Sequence, residues 1–408
     1  KLLKRPLSSD KTEFIFTAGR AGKTTPAKWV FTDKRKKRSK KTIKEPKREV
    51  AFWVDMVEFT NEAKQAFITF DLIFRTPTQF VAFARLVKQN LGLETQYIWY
   101  PATEKDDTKR HWISKFDDHQ PRYPIYIVSK GRADSRQTAK SLEKMGVPYF
   151  VVIEPQDYDA YSCSFDPKTI LVAPFSNHGD GPGRARNWCW DHAKAAGFKR
   201  HWVMDDNING FVRLHENEKI PVADGGLIRA AEDFVDRFEN VPVAGLNYRF
   251  FAANKSFKPP FLLNTRIYSC LLIENDCPYH WRGRYNEDTL LAMDVLLDRE
   301  RPNPDSTPPR FTTIQFNTLL QNKTVTQQLG GGNTEEFYSH EGTSNKSTML
   351  KSQYPDLVDE VIRYGRHHHY IDYQKHFGSN QPVLKSNLPA PKSYEMELVP
   401  VPDRIRKN

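Results

Sequence analysis

The sequence predicts an α/β protein built on a Rossmann-like mixed sheet with flanking helices, and three observations predict it. From Pro121 onward, short apolar strand-like runs alternate with helical runs, the rhythm of a parallel sheet. A glycine-rich loop, Gly179 to Gly183, leads from a strand-like run into a helical one. The apolar run Arg200 to Met204 stops at Asp205-Asp206-Asn207, which describes a strand delivering acids to a sheet edge. In doubly wound sheets, ligands bind at the carboxyl ends of the strands.

In order, Tyr123 to Ser129 reads as the first strand and Ser135 to Met145 as a helix ended by Gly146. Tyr149 to Ile153 and Thr169 to Ala173 are the next strands, and Arg184 to Ala196 is the helix after the glycine loop. Mixed strands and helices follow to about Lys323, with a helical run from Thr289 to Leu297. Gly330-Gly331-Gly332-Asn333 marks a loop, Asp356 to Tyr364 reads as a closing helix before Arg366 to Tyr373, and the tail from Pro382 is Pro-rich. The first 120 residues differ in texture and read as a small α+β N-terminal domain. They hold strand-like runs at Val50 to Phe59, Gln65 to Phe74 and Gln96 to Trp99, a helix from Thr76 to Leu91, and a charged linker from Glu104 to Asp118. The expected division is therefore 1–120, 121–375 and a tail of 376–408.

Composition narrows the class. With 408 residues, 38% of them hydrophobic and 12% aromatic, the chain can bury a real core, which argues against wholesale disorder. A net charge of +11 and a pI near 9.2 point to a polyanionic partner, nucleic acid before membrane. The four cysteines form no CxxC pair, so a zinc knuckle is not expected and they read as reduced, mostly buried residues. No run approaches a membrane span or a signal-peptide core, so a soluble intracellular protein is expected. The chain opens on Lys1 rather than methionine, so a preceding segment is expected too.

Several residues stand where chemistry would be placed. Asp205 and Asp206 are hard oxygen ligands of the kind that hold magnesium or manganese together with a diphosphate. An acidic turn after a strand would give the same residues. Ser129-Lys130-Gly131-Arg132 ends the first strand, where a nucleotide would dock. Arg184, Arg186 and Asn187 open the helix after the glycine loop and offer charge-assisted contacts to a diphosphate or ribose. Glu287 and Asp288 precede the helical run at Thr289; they suit general-base work or, equally, complement a helix dipole.

In this order, the run Tyr126 to Arg132, the helix after Gly183, Asp205-Asp206-Asn207 and Asn286-Glu287-Asp288 resemble the TET-associated glycosyltransferases. The resemblance covers roughly Tyr123 to Tyr373. It implies a GT-A-like fold, a family found largely in bacteriophages, and transfer of a sugar to 5-hydroxymethylpyrimidine in DNA inside the bacterial host. The donor it implies is a nucleotide-sugar, a UDP-sugar first of all, with a divalent metal (Mn2+ or Mg2+). Asp205 and Asp206 would then serve ribose and metal, and Asp288 would match the base of an inverting enzyme. Asn207 stands where the usual Asp-x-Asp pattern has its last aspartate, which leaves the metal ligand set open. A C-terminal histidine often completes that set; His340 is one candidate, and His368, with its neighbours His367 and His369, supplies others.

A DNA acceptor also fits the basic run that contains Lys36, Lys37, Arg38, Lys40 and Lys41, whose phosphate contacts would weaken steeply with salt. Gly19 to Thr24 mimics a P-loop, but Thr17 stands where that motif needs a glycine. Two rival readings remain: a nucleotidyltransferase that makes a sugar nucleotide, and a non-catalytic DNA-binding protein on a degenerate transferase core.

Overall fold

The computed structural model describes residues 4–7, 11–14, 51–61, 72–89, 91–92, 95, 98, 110–177, 179, 181–252, 259–299, 310–324, 344–363, 366–388 and 392–401. The chain divides into two compact units, Lys1–Lys47 and Arg48–Asn408. In the first, β1 (Lys4–Leu7) and β2 (Lys11–Phe14) form an antiparallel hairpin. The basic run, the Gly19 to Thr24 segment, most of the Gln65 to Phe74 and Gln96 to Trp99 runs, and His340 lie outside the described residues.

The second unit is built on a 10-stranded mixed sheet with the order β6-β5-β4-β7-β12-β10-β13-β8-β9, to which β11 adds alongside β13. Strands β4 (Ile125–Val128), β5 (Phe150–Ile153), β6 (Ile170–Val172) and β7 (Arg200–Asp205) run parallel. Next to β7, β12 (Cys270–Glu274) is antiparallel, and β10 (Val243–Tyr248) and β13 (Thr313–Lys323) run parallel to each other beyond it. β8 (Ile208–His215), β9 (Glu218–Pro221) and β11 (Phe261–Leu263) complete the sheet by antiparallel pairing. This mixed, helix-flanked sheet is the α/β architecture that the sequence predicts.

The parallel strands are apolar throughout because both of their faces are covered. Ile125, Ile127, Trp202 and Met204 point into one core, and Tyr126 and Val203 into the other, the period-two alternation of a strand. Helices α2 (Gln137–Lys144) and α5 (Gly226–Val235) cover the first face through residues such as Leu142, Leu227 and Phe234. On the second face lie α4 (Gly183–Ala195), through Cys189, Trp190 and Ala193, and α6 (Glu287–Leu297), through Leu291 and Val295. Between β5 and β6 lies the short α3 (Tyr158–Ser162). Cys163 is exposed and Cys189, Cys270 and Cys277 are buried, all as free thiols.

Four expectations need correction. Val50 to Phe59 holds no strand in its described part; Trp53 instead donates its Nε1 to the Val57 carbonyl at 2.8 Å and packs on Phe234 and Phe261 of the sheet core. Its aromatic residues serve tertiary packing rather than a ladder. The supposed linker at Asp118 contains β3 (Arg110–Ser114), which pairs with β16 (Met396–Pro400) of the Pro-rich tail. Because Val57, Tyr394 and Met396 share the main core, the compact units divide after Lys47 rather than at residues 120 and 375. The segment read as a closing helix is β14 (Val358–Arg363), antiparallel to β15 (Arg366–Ile371). Leu357, Val358, Val361 and Ile362 mimic a helical period, but Val358, Val361 and Ile362 are β-branched and favour the pleated form.

The remaining helices are α1 (Pro77–Leu86), capped by Thr76, α7 (Ser344–Gln353) and α8 (Tyr373–Phe377). Among the described residues, no helix is long and apolar enough to cross a membrane.

Candidate active site

The sheet topology brings four strand ends to one edge. β4, β7, β10 and β13 all run the same way, so the C-terminal ends Val128, Asp205, Tyr248 and Lys323 lie along it. Register sets Val128 directly opposite Asp205. A cleft of about 570 Å³ opens at this edge. Ser129, Lys130, Arg132, Arg184, Arg186, Asp205, Asp206, Asn207, Glu287 and Asp288, all singled out in the sequence, line it together.

Arg186 is the hub. Buried in the first turns of α4, its guanidinium donates from Nη2 to Asp205 Oδ1 at 2.9 Å, and from Nη1 to Glu287 Oε1 at 3.0 Å and Asp288 Oδ1 at 2.7 Å. Two features aim this helix. Gly181 in the loop before it has φ +84 and lies so close to the Arg284 carbonyl that a Cβ would stand 2.9 Å from that oxygen. Only glycine suits both demands. Asn187 binds the backbone of Trp281, donating to its carbonyl at 2.8 Å and accepting from its N–H at 3.1 Å. Asn187 and Gly131 were expected to contact the nucleotide, yet neither lines the cleft; Asn187 is committed to holding the Trp281 loop, and Gly131 supplies a left-handed turn with φ +63.

Trp281 returns to the site by donating its Nε1 to Asp288 Oδ1 at 2.9 Å. Both donors to Asp288 thus fall on Oδ1, and Oδ2, with no donor among the described residues, stays open to the cleft. Glu287 and Asp288 start α6 directly after Asn286, which adopts a left-handed conformation with φ 53 and ψ 26. Asparagine tolerates this conformation better than most residues, and such strain gathers at functional sites. Burial raises the Asp288 carboxyl well above the usual carboxylate range, against the opposing pull of Arg186. Asp205 goes the other way: burial acts to raise it, but Lys323 and Arg186 beside it hold it far below that range.

Asp206 turns toward the loop after β4. Ser129 Oγ donates to its Oδ2 at 2.7 Å, and Arg132 Nη1 to its Oδ1 at 2.6 Å. Burial raises its carboxyl, with Arg132 and Ser129 opposing. Tyr161 of α3 braces this group, 2.6 Å from Ser129 Oγ and accepting from the Arg132 N–H at 3.1 Å. Asn207 donates from Nδ2 to the Thr324 carbonyl at 3.2 Å. Thr138 in the first turn of α2 fixes the whole turn after β7, donating to the Asp205 carbonyl at 2.6 Å and accepting from the Ile208 N–H at 2.9 Å.

Sequence reasoning missed several cleft residues. Lys323, at the end of β13, donates to Asp205 Oδ2 at 2.7 Å and to Ser269 Oγ at 2.6 Å. Tyr248, Phe250, Phe251, Arg266 and Tyr268 line the side beyond β7. Phe250 and Phe251 are 60% and 57% exposed, and Tyr248 stacks on Phe250 with centroids 5.0 Å apart and planes at 9°. The run Tyr248-Arg249-Phe250-Phe251 was a legible signal for this lip; Lys323 had none, because only the sheet order brings it to Asp205.

The expected metal ligands do not assemble. Asp205 has each carboxylate oxygen on a cation, Asp206 has each on a donor, and Asn207 offers one buried carbonyl oxygen without a partner. Among the described residues no three His, Cys, Asp or Glu side chains form a group that could hold a metal ion. His368 is exposed on β15 and does not line the cleft, whereas His369 is half-buried and lowered to about 4 by burial and by Arg266 nearby. A divalent ion needs several convergent hard oxygens, so this donor set does not fit one.

No curated protein matches the chain. A protein from Desulfovibrio desulfuricans G20, provisionally assigned as a nucleotide-diphospho-sugar transferase, aligns at 10% identity over 46% of this chain and 92% of its own, with a TM-score of 0.26. A family model described as TET-Associated Glycosyltransferase matches residues 123–302. The matched segment, which carries Lys130, Arg186, Asp205 and Asp288, is similar to that family.

Proposed function

We propose that this glycosyltransferase moves a sugar from a nucleotide-sugar, UDP-linked, to the hydroxymethyl oxygen of a 5-hydroxymethylpyrimidine in DNA, with inversion at the anomeric carbon. The observation that carries the reading is Asp288, a buried carboxylate at the cleft with one oxygen anchored by Arg186 and Trp281 and the other open. A group so oriented suits proton removal from an acceptor hydroxyl.

Lys130, Arg132 and Arg184, on the β4 and β5 side of Asp205, suit a nucleoside diphosphate. Phe175, in cation–π contact with Arg184 at 5.7 Å, gives that wall an apolar face. The exposed aromatics on the β10 side suit a planar acceptor base. In the reaction, Asp288 takes the hydroxyl proton as the acceptor oxygen bonds to the anomeric carbon. The bond to the diphosphate breaks, its electron pair stays on the departing phosphate oxygen, and attack from the opposite face inverts the centre. Arg186 holds Asp205, Glu287 and Asp288 in one rigid array, so little reorganisation accompanies the step. The hydroxymethyl group already projects into the major groove, so full base extrusion is not required. The basic run Lys36, Lys37, Arg38, Lys40 and Lys41 would add phosphate contacts.

The test is to incubate the protein with hydroxymethylated DNA and a panel of nucleotide-sugars, digest the product and weigh the nucleosides. A hexose added to hydroxymethylpyrimidine supports the reading. No addition from any donor, with a control transferase active on the same DNA, refutes it, and pyrophosphate release from a nucleoside triphosphate without DNA would favour nucleotidyl transfer instead.

A further inference from the structure

The residue at the centre of the cleft that nothing in the sequence singled out is Lys323. Its ammonium sits against Asp205 Oδ2 at 2.7 Å and Ser269 Oγ at 2.6 Å, and over the Tyr248 ring at 5.7 Å from the centroid. We infer that Lys323 supplies the fixed positive charge that neutralises the departing diphosphate, and that donor binding and transfer here need no divalent metal. The inference rests on the donor-site reading above.

Three observations carry it. The first strand-end carboxylate, Asp205, is fully engaged with cations: Arg186 on Oδ1 and Lys323 on Oδ2. A divalent ion seated there would have to displace a lysine and would then face a buried arginine, both repelling it. The second carboxylate, Asp206, is held by Ser129 and Arg132 on the side of the nucleotide loop. The third position of the acidic motif is Asn207, an amide with no charge to offer.

The alternative provision is complete in the same place. A lysine ammonium has three donors; two are used on Asp205 and Ser269, and among the described residues the third has no oxygen partner, which leaves it for a phosphate oxygen. Lys323 ends an 11-residue strand whose Leu319 and Leu320 are fully buried, so the charge is mounted on a rigid element rather than a loop. A preorganised cation aimed where negative charge develops does the work usually given to a metal, without needing one bound beforehand. The balance of the step is unchanged: the proton goes to Asp288, the electron pair goes to the phosphate oxygen, and Lys323 stays an ammonium throughout.

The test measures nucleoside diphosphate binding by titration calorimetry, using UDP, GDP, ADP and CDP, in EDTA and again with manganese. The expected result is that at least one nucleotide binds equally in both. Lys323→Met should weaken that binding by on the order of tenfold to a hundredfold in both buffers, and Lys323→Arg, which keeps the charge, should retain most of it. Sugar transfer in EDTA should match transfer with manganese. Wild-type binding that falls tenfold or more in EDTA overturns this inference and leaves the donor site standing. Binding of none of the four in either buffer overturns the donor site as well. The wild-type comparison decides even if Lys323→Met fails to fold.

Discussion

At the start of β7, Arg200 is fully buried and donates to Asp236 Oδ1 at 2.9 Å and to the Val241 carbonyl at 3.0 Å, while Trp202 two residues on donates to Glu232 Oε1 at 2.8 Å. Glu232 also accepts from the backbone of Arg122 and Tyr123. At the other end of the same strand, Asp205 meets Arg186 and Lys323 at similar distances, yet these groups line a cleft. Both networks pair buried charge with charge. The first is closed by α5, which carries Glu232, so its groups act only on one another. The second lines a cleft, and among the described residues Asp288 Oδ2 has no donor, so its groups are placed to meet a ligand. A charge network alone therefore does not mark a site; an opening beside it does.

Removing the open carboxylate should have the largest effect. Asp288→Asn keeps an oxygen for Arg186 and Trp281 but removes the base, so transfer should fall by roughly 10²–10⁴-fold. Its melting temperature should not drop, because a costly buried charge is lost. The closed end should show the opposite split. Arg200→Met leaves Asp236 short of a buried partner and should cost about 3–5 kcal/mol of stability, read by urea unfolding, with the rate per folded molecule unchanged. Were Arg200→Met to slow transfer at full folding, the division between the two ends would fail.

Smaller effects sharpen the cleft side. Phe250→Ala and Phe251→Ala should each weaken DNA acceptor binding by about 1–3 kcal/mol if they stack on a base, raising KM with little change in melting, since both are mostly exposed. A rise in donor KM instead would move the aromatics to the other substrate. The smallest effect is a displacement along the pH axis. Asp288 must be ionised to accept a proton, and burial raises its pKa, so activity should be lost on acidification at a pH above the roughly 4 typical of a carboxylate. An acid limb at ordinary carboxylate pH would mean that another group titrates.

Much of this contrast was legible in the sequence. The parallel strands and their helices appear close to where the apolar runs and Gly146 put them, because strands covered on both faces and glycine helix stops are local signals. Asp205, Arg186 and Asp288 were legible as acids and bases at element ends. Their convergence through a single guanidinium was not, since residues 186, 205 and 288 meet only in the folded sheet. Lys323 was invisible for the same reason, and with it the mismatch between the donor set and a metal. The hairpin of β14 and β15 was misread because its apolar spacing imitates a helix turn for turn.

The central claim is that the cleft at the end of β7 transfers a sugar to hydroxymethylated DNA using Asp288. Mass analysis of nucleosides from such DNA, after incubation with a nucleotide-sugar panel and either wild-type protein or Asp288→Asn, tests it most directly. The account predicts a hexose on the hydroxymethylpyrimidine with the wild type and at most about a hundredth of that rate with the variant. Transfer at equal rates by both proteins, or none by a folded wild type beside an active control, would contradict it.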